Sequence, residues 1–343
     1  MRKLALLFAL ALAALPLAAQ PTLKNAQLKS ARAAADLGAQ VRAAGTTWVA
    51  YAVPSAISSG FVCCTDGSWR ATTCRLDGGW QNFNIGGKDD DRDLTVETQL
   101  LVFYRLAGRE IEKVRVFSTT CPIDAHGATV TWIDGVDPRQ SVNLLASLVG
   151  NESDRSEKRA LDALAMHAHE SATDKLEAIA RSSRPVELRG HATFWLGNLR
   201  GARGYEIVKR IANDKNESNK LREKAVFAMT QSKEPRRIDD LIAIARHDDS
   251  SHVRQQALFW LSQAAGKRAI AALRDAADND PDEDVKKKAV FGISQLPDNE
   301  SIPLLASLMR THRNKEVRKQ AAFWLGQKND PRALAAIEDM LKP

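Results

Sequence analysis

Six alanines, Ala160, Ala192, Ala225, Ala257, Ala289 and Ala321, stand 32 or 33 residues apart, and the chain repeats itself around each of them. No other feature constrains the fold as much. A unit of this size has too little apolar surface to close a core alone, so it is stable only when stacked on its own copies. The segments Val253–Gln263, Val285–Gln295 and Val317–Gln327 share the pattern Val-(Arg/Lys)-x-x-Ala-x-Phe-x-(Leu/Ile)-x-Gln, and Leu188–Asn198 and Leu221–Gln231 follow it with small changes. Apolar residues four before the alanine, at it and four after it form one helical stripe. The neighbouring Phe and Trp widen that face until the helix must be covered on several sides. A second apolar segment follows in each unit, as in Ala269–Leu273 and Ile302–Leu308, and polar joints such as Asp278–Asp282 separate the units. Each unit is expected to be a helix pair closed by a polar turn.

In these residues the chain resembles HEAT repeats, and among them the short kind of roughly 30 residues named after phycobilisome lyases. The resemblance covers about residues 153–343, over half the chain. It implies a mainly α protein, a HEAT-like α-solenoid of about six helix-pair repeats, used mainly as a protein-binding surface. The expected partner is another protein.

Three columns of the repeat are candidates for that contact. Trp195, Trp260 and Trp324 occupy equivalent positions in alternate units, with Ala228 and Gly292 between them, as if a two-repeat unit had been duplicated. Aromatics at helical spacing usually pack between repeats, and the alternative is a row of partly exposed anchors on the concave face. Arg189, Arg222, Arg254, Lys286 and Arg318 lie three before the alanine, preceded by acids such as Asp248, Asp249, Asp284 and Glu316. Local ion pairing competes there with a basic ridge for an acidic partner. Asn198, Gln231, Gln263, Gln295 and Gln327 repeat six after the alanine, where an amide ladder bonding each turn is expected.

The first copy differs, with Asp162 where the others carry Phe and Ala163 where alternate ones carry Trp, which marks an end repeat. The last copy keeps Phe323 and Trp324 and is followed by one more helix, Pro331 to Leu341. Its outer face is a candidate contact for a homodimer through the C-terminal end of the solenoid, unless Glu338, Asp339 and Lys342 cap it.

The first part of the chain is a different object. Arg2 and Lys3, an apolar stretch from Leu4 to Leu15, and small residues up to Ala19 read as a signal peptide. The protein is therefore expected to be exported, periplasmic or extracellular. No later stretch approaches the ~20 apolar residues of a membrane span. Residues 20–44 are Ala-rich with scattered charges and read as a helix. Thr47–Pro54, Thr95–Leu106, Glu110–Ser118 and Thr129–Ile133 are rich in β-branched and aromatic residues and read as a small antiparallel sheet, with a hairpin turn at Ala107–Arg109. The expected division is a leader at 1–19, a small β-rich (α+β) domain with an N-terminal helix at 20–140, a linking helix and joint at 141–152, and the solenoid at 153–343. The linking helix itself spans Ser141 to Val149.

All four cysteines, Cys63, Cys64, Cys74 and Cys121, lie in the first third of the chain. In an oxidising compartment they form two disulfides. A bond between adjacent Cys63 and Cys64 is strained, so each pairs with Cys74 or Cys121, and two connectivities remain. A redox-active pair, or a metal site using Cys121 and His126, is the weaker alternative, because no Cys-x-x-Cys knuckle is present. Asp89, Asp90, Asp91 and Asp93 form an acidic turn, but Leu94 and Leu100 stand where an EF-hand needs Gly and Glu. A solvated loop is expected there.

Charge and motifs narrow the function further. The formal charge of +7 falls to +5 without Arg2 and Lys3, a small excess that argues little for nucleic acid. No Gly-x-Ser-x-Gly, phosphate loop, His-Glu-x-x-His or dinucleotide fingerprint occurs. The repeat family includes a di-iron oxidoreductase type with His-Glu pairs on several repeats, and this chain has one pair, His169-Glu170. Bilin lyase activity is the family's other association, and no motif distinguishes it. His167 and His169 are two apart and point away from each other on a helix. The expectation is thus an exported, non-enzymatic scaffold or adaptor with no cofactor. The alternatives are an oxidoreductase or metal-dependent enzyme of the same family, and a redox- or metal-responsive regulator acting through the four cysteines.

Overall fold

The computed structural model describes residues 23–57, 60–65, 71–78, 82–85, 98–150, 155–264 and 266–341. The expected leader and the acidic turn at Asp89–Asp93 lie outside the described residues. The chain divides into two compact units, Met1–Leu144 and Leu145–Pro343. Among the described residues no helix is long and apolar enough to cross a membrane.

The first unit runs β1 (Leu23–Lys24), β2 (Gln27–Arg32), α1 (Leu37–Arg42), β3 (Trp48–Pro54), β4 (Gly60–Thr65), β5 (Ala71–Thr72), β6 (Cys74–Arg75), β7 (Asn82–Ile85), β8 (Gln99–Ala107), β9 (Glu110–Ser118), β10 (Ile123–Asp124) and β11 (Thr129–Asp134). The main sheet has the order β2-β11-β3-β8-β9, with smaller sheets β1-β10-β6 and β5-β4-β7. The strands expected from β-branched and aromatic runs are present as β3, β8, β9 and β11. Gly108 takes φ of +61° in the β8–β9 turn, a conformation a side chain would strain.

Two expectations are corrected. Residues 20–44 are not one helix: they hold β1, β2 and only the short α1, which Asp36 caps through the Ala39 N–H at 2.9 Å. β2 pairs in parallel with β11, Gln27 with Thr129 through Arg32 with Asp134, and this distant ladder overrides a weak local helix preference. Nor is the sheet purely antiparallel, since β2-β11-β3 are parallel and only β3-β8-β9 run antiparallel. Parallel pairs need long connections, which composition does not advertise.

Trp48, Phe103, Phe117 and Trp132 centre the core of this unit, and Phe103 meets Trp48 and Phe117 edge to face. The disulfides are Cys63–Cys121 and Cys64–Cys74, which settles the two open connectivities. Cys63, Cys74 and Cys121 are buried in the same core. Buried Arg115 donates to the carbonyls of Arg75, Leu76 and Gly78 at 2.6, 2.8 and 2.9 Å, tying the Cys74 segment to β9. The Tyr51 hydroxyl meets Tyr104 at 2.7 Å and Ser141 at 2.6 Å, and burial pushes both phenols up.

Helix α2 (Pro138–Ser147) crosses the division between the units, starting three residues before the expected Ser141 because Pro138 suits a first helical turn and Asp137 accepts the Arg139 N–H at 2.8 Å. The second unit then runs α3 (Arg155–Ala165), α4 (Ser171–Ala180), α5 (Val186–Leu199), α6 (Gly201–Asn213), α7 (Asn219–Gln231), α8 (Arg237–His247), α9 (Ser251–Gln263), α10 (Lys267–Asn279), α11 (Glu283–Ser294), α12 (Asp298–Thr311), α13 (Lys315–Gly326) and α14 (Pro331–Leu341). These are six helix pairs. All six column alanines are fully buried, as are Leu188, Leu221, Val253, Val285 and Val317 before them and Leu196, Met229, Leu261, Ile293 and Leu325 after them. Each buried Leu, Val, Ile or Met side chain contributes about 1.5–3 kcal/mol, and each alanine methyl less. At Gly197 an added Cβ would collide with the Ala228 carbonyl, so the glycine is what lets α5 approach α7.

Candidate protein-binding surface

The first helices of the pairs, α5, α7, α9, α11 and α13, pack side by side, and each column of the repeat becomes a row across them. The basic row is built into the joints. Arg189, Arg222 and Arg254 donate to the carbonyls of Ala180, Ala212 and Asp248 at 2.8, 2.9 and 2.8 Å, at the end of the preceding helix. Each also reaches a carboxylate further along the chain. Arg189 pairs with Glu217, Arg222 with Asp248, and Arg254 holds Asp280 with two bonds of 2.8 Å. Side-chain exposure is only 4% for Arg222 and 5% for Asp248, so this pair is an internal clamp. Arg222 and Arg254 are buried and do not form a ridge open to a partner, because their charge is used between repeats.

Two of these carboxylates, Asp248 and Asp280, also shape the turns, as Asp214 does in the joint before them. Asp214, Asp248 and Asp280 accept the N–H two residues on, from Asn216, Ser250 and Asp282 at 3.0, 2.9 and 2.9 Å. His312 occupies the next joint and accepts the Asn314 N–H on Nδ1 at 3.0 Å, which leaves Nε2 toward Asp278 at 3.4 Å. The clamp lapses there. Lys286 has only Glu283 at 3.8 Å, and Arg318 reverts to carbonyls, His312 at 2.7 Å and Arg313 at 3.1 Å.

The amide row does not form a ladder. Gln231, Gln263 and Gln295 each bond the hydroxyl just before them, Thr230, Ser262 and Ser294, at 2.9, 3.2 and 3.0 Å. Those hydroxyls in turn bond the carbonyls of Phe227, Phe259 and Phe291 at 2.6, 2.6 and 2.7 Å.

The three tryptophans divide. Trp195 is 4% exposed, and its indole N–H donates to Asp162 at 2.9 Å. Asp162 also meets His191 Nε2 at 2.6 Å. The residue that marked the first repeat as an end unit therefore accepts an indole N–H that has no polar partner at Trp260 or Trp324 among the described residues. Trp195 is a core residue, whereas Trp260 and Trp324 are half-buried.

What sequence reasoning passed over as a surface row is the Phe column, two after the alanine in five repeats. Phe194, Phe227, Phe259 and Phe291 are half-buried and Phe323 is 55% exposed. Phe194 stacks on Phe227 at 5.8 Å, Phe227 meets Trp260 at 4.7 Å, and Phe291 meets Trp324 at 5.1 Å. Within helices, Phe259–Trp260 and Phe323–Trp324 lie 4.9 and 5.0 Å apart. An apolar residue in five successive repeats that the stripe of buried positions does not need was the available signal. Lys220, Glu223, Lys224, Phe227, Gln256 and Trp260 line an open recess of about 350 Å3 on this row.

The remaining candidates are placed as follows. Cys121 is committed to a disulfide and His126 is exposed on a turn with φ of +53°, so they make no thiolate-imidazole site. Among the described residues no group of three His, Cys, Asp or Glu is placed to hold a metal. His169 Nδ1 is bonded to Ser171 at 2.7 Å. Burial lowers the His167 pKa to about 4, with Nδ1 against the Ala163 carbonyl at 2.7 Å. At the end of the array Phe323, Leu334 and Met340 are exposed.

Comparison with protein families matches residues 173–262, 205–291 and 270–343 to HEAT repeats. Among solved structures, the chain is similar to human deoxyhypusine hydroxylase, with 18% identity over 59% of this chain and 90% of that one and a TM-score of 0.27. It is similar to the YibA protein of Escherichia coli, with 22% identity, 60% and 79% coverage and a TM-score of 0.39. It is also similar to the CpcE–CpcF phycocyanin lyase of Nostoc, with 20% identity, 46% and 99% coverage and a TM-score of 0.35. No curated protein matches the chain.

Proposed function

We propose, from the premise that residues 173–343 of this chain belong to the HEAT-repeat family, that the protein is an exported scaffold that binds another protein through the aromatic row of its first helices. The observation that carries this reading is the row itself. Phe227, Trp260, Phe259, Phe291 and Trp324 stay half-buried instead of sinking into the core, and they continue from repeat to repeat. Rigid aromatic anchors in a line are what protein interfaces are built on. Of the earlier candidates, Trp260 and Trp324 remain in this surface. Export is supported by the leader-like residues 1–19 and by two disulfides, which persist in oxidising compartments.

The test combines location and capture. Cell fractionation is expected to place the mature protein outside the inner membrane. Envelope cross-linking is expected to capture a partner with wild type and to lose it with Phe227→Ser plus Phe291→Ser, while circular dichroism stays unchanged. Equal capture by both proteins would remove the aromatic row from the interface.

A further inference from the structure

The aromatic row is interrupted once, and the interruption is a lysine. Ring contacts run from Phe194 to Phe259 and again from Phe291 to Phe323. Between Phe259 and Phe291 the link is Lys288, whose Nζ lies 4.9 Å from each ring centroid. Lys224 holds the same column two repeats earlier and gives its charge to Glu187 at 2.9 Å. Lys220 shares that carboxylate at 2.7 Å, and the two ammoniums lower the Glu187 pKa to about 2. On α9 the position equivalent to Glu187 is His252. Lys288 therefore keeps a positive charge that no carboxylate neutralises among the described residues.

The surroundings of that charge repeat. Lys224, Phe227, Gln256 and Trp260 recur 64 residues later as Lys288, Phe291, Gln320 and Trp324, so the Phe–Trp contact beside the recess recurs two helix rows on, while Lys220 and Glu223 are replaced by Asp284 and Lys287, which pair with each other at 3.2 Å. Gln256 and Gln320 are both half-buried, and their amides have no partner among the described residues.

We infer that this row takes an extended acidic segment of a partner polypeptide, with one bulky apolar side chain against each Phe–Trp contact and a carboxylate between them on Lys288. The inference rests on the protein-binding reading above and specifies its ligand. Two helix rows at 8–10 Å put these contacts about 16–20 Å apart. That is the span of roughly five or six residues of extended chain at ~3.3 Å each. The free amides of Gln256 and Gln320 are suited to the exposed backbone of such a segment, which has polar groups that a helix would keep to itself. Lys288 supplies the sign preference, because a carboxylate meets an ammonium that is otherwise unpaired.

The experiment pans a random peptide library of roughly 16 residues against the full chain, then measures the enriched peptides by fluorescence anisotropy. Expected are two bulky apolar residues five or six apart with Asp or Glu between them. Lys288→Glu, checked for folding by circular dichroism, is expected to weaken these peptides about tenfold and to recover peptides whose central acid is changed to Lys. An enriched spacing near twelve, which means a bound helix, would overturn the inference. So would an absence of any such motif, or equal binding to Lys288→Glu and wild type. If cross-linked capture depends on Phe227 and Phe291 while the library yields no motif, the protein-binding reading stands and the extended segment falls. If capture is also independent of those residues, both fall.

Discussion

The two units join residues over different distances along the chain. In the first, β2 pairs with β11 about a hundred residues away, and Cys63 is bonded to Cys121 across 58. In the second, the clamps join residues 26 apart, Arg222 to Asp248 and Arg254 to Asp280. A fold made of distant pairings stands or falls together, while a stack of repeats is a sum of local terms and nearest-neighbour interfaces. The two units should therefore fail separately and to different agents.

Reduction is the largest lever and should act on the first unit alone. By the loop-closure relation, cross-links spanning 58 and 10 residues contribute about 4 and about 3 kcal/mol to stability. Reducing agent is expected to bring out an early calorimetric transition with loss of sheet signal while the helical transition stays in place. A single transition that moves as a whole would show that the units unfold together.

Within the array, Arg254→Met leaves Asp280 buried and unpaired and is expected to cost about 3–5 kcal/mol in urea denaturation. Lys286→Met at the lapsed joint should cost less than about 1 kcal/mol, since its contact with Glu283 is long and Glu283 is half exposed. Equal losses would mean that the joints share load regardless of their clamps.

Acid should select the array. Burial holds His167 neutral, with its pKa lowered to about 4 from the usual 6.5, so the unfolded chain binds the extra proton between those values. Stability from this group is complete above pH 6.5 and is lost as pH falls toward 4, by up to about 3 kcal/mol. His167→Gln is expected to flatten the slope of the helical transition over that range, whatever it does to stability at neutral pH. An unchanged slope would place the acid sensitivity elsewhere.

The contrast also explains what could be read from the sequence. The array was legible because one pattern, repeated along the chain, reports burial directly: from the second copy to the last, the alanine and its neighbours four before and four after are all buried. The first unit offers no second copy to compare. β2 carries mostly exposed side chains, so Gln27–Arg32 shows no alternation that would mark a strand, and its pairing is specified by β11. The site lay between these cases. Spacing marked the Trp column as a candidate, but only the packing shows that Asp162 draws Trp195 inward while the Phe column stays near the surface. The arginine column stayed open between two readings for a related reason, since a guanidinium serves an internal clamp or an exposed ridge with the same spacing.

The smallest effect probes whether joints are interchangeable. His312 stands where Asp248 and Asp280 stand, and like them it accepts the N–H two residues on, so an aspartate there keeps the turn. Lys286 occupies the Arg222 and Arg254 column. Lys286→Arg with His312→Asp would rebuild the clamp at the joint where it lapses. Each change alone is expected to be neutral or harmful. The first by itself gives the new guanidinium no carboxylate at the joint, and the second by itself buries a new carboxylate close to that of Asp278 with only the native lysine to answer it. The pair should be more stable than the two single changes predict by about 1 kcal/mol, read as the coupling term of a double-mutant cycle. A coupling of zero would mean that the clamp geometry at Arg254–Asp280 depends on more than its two residues, and that the repeats are less modular than their spacing implies.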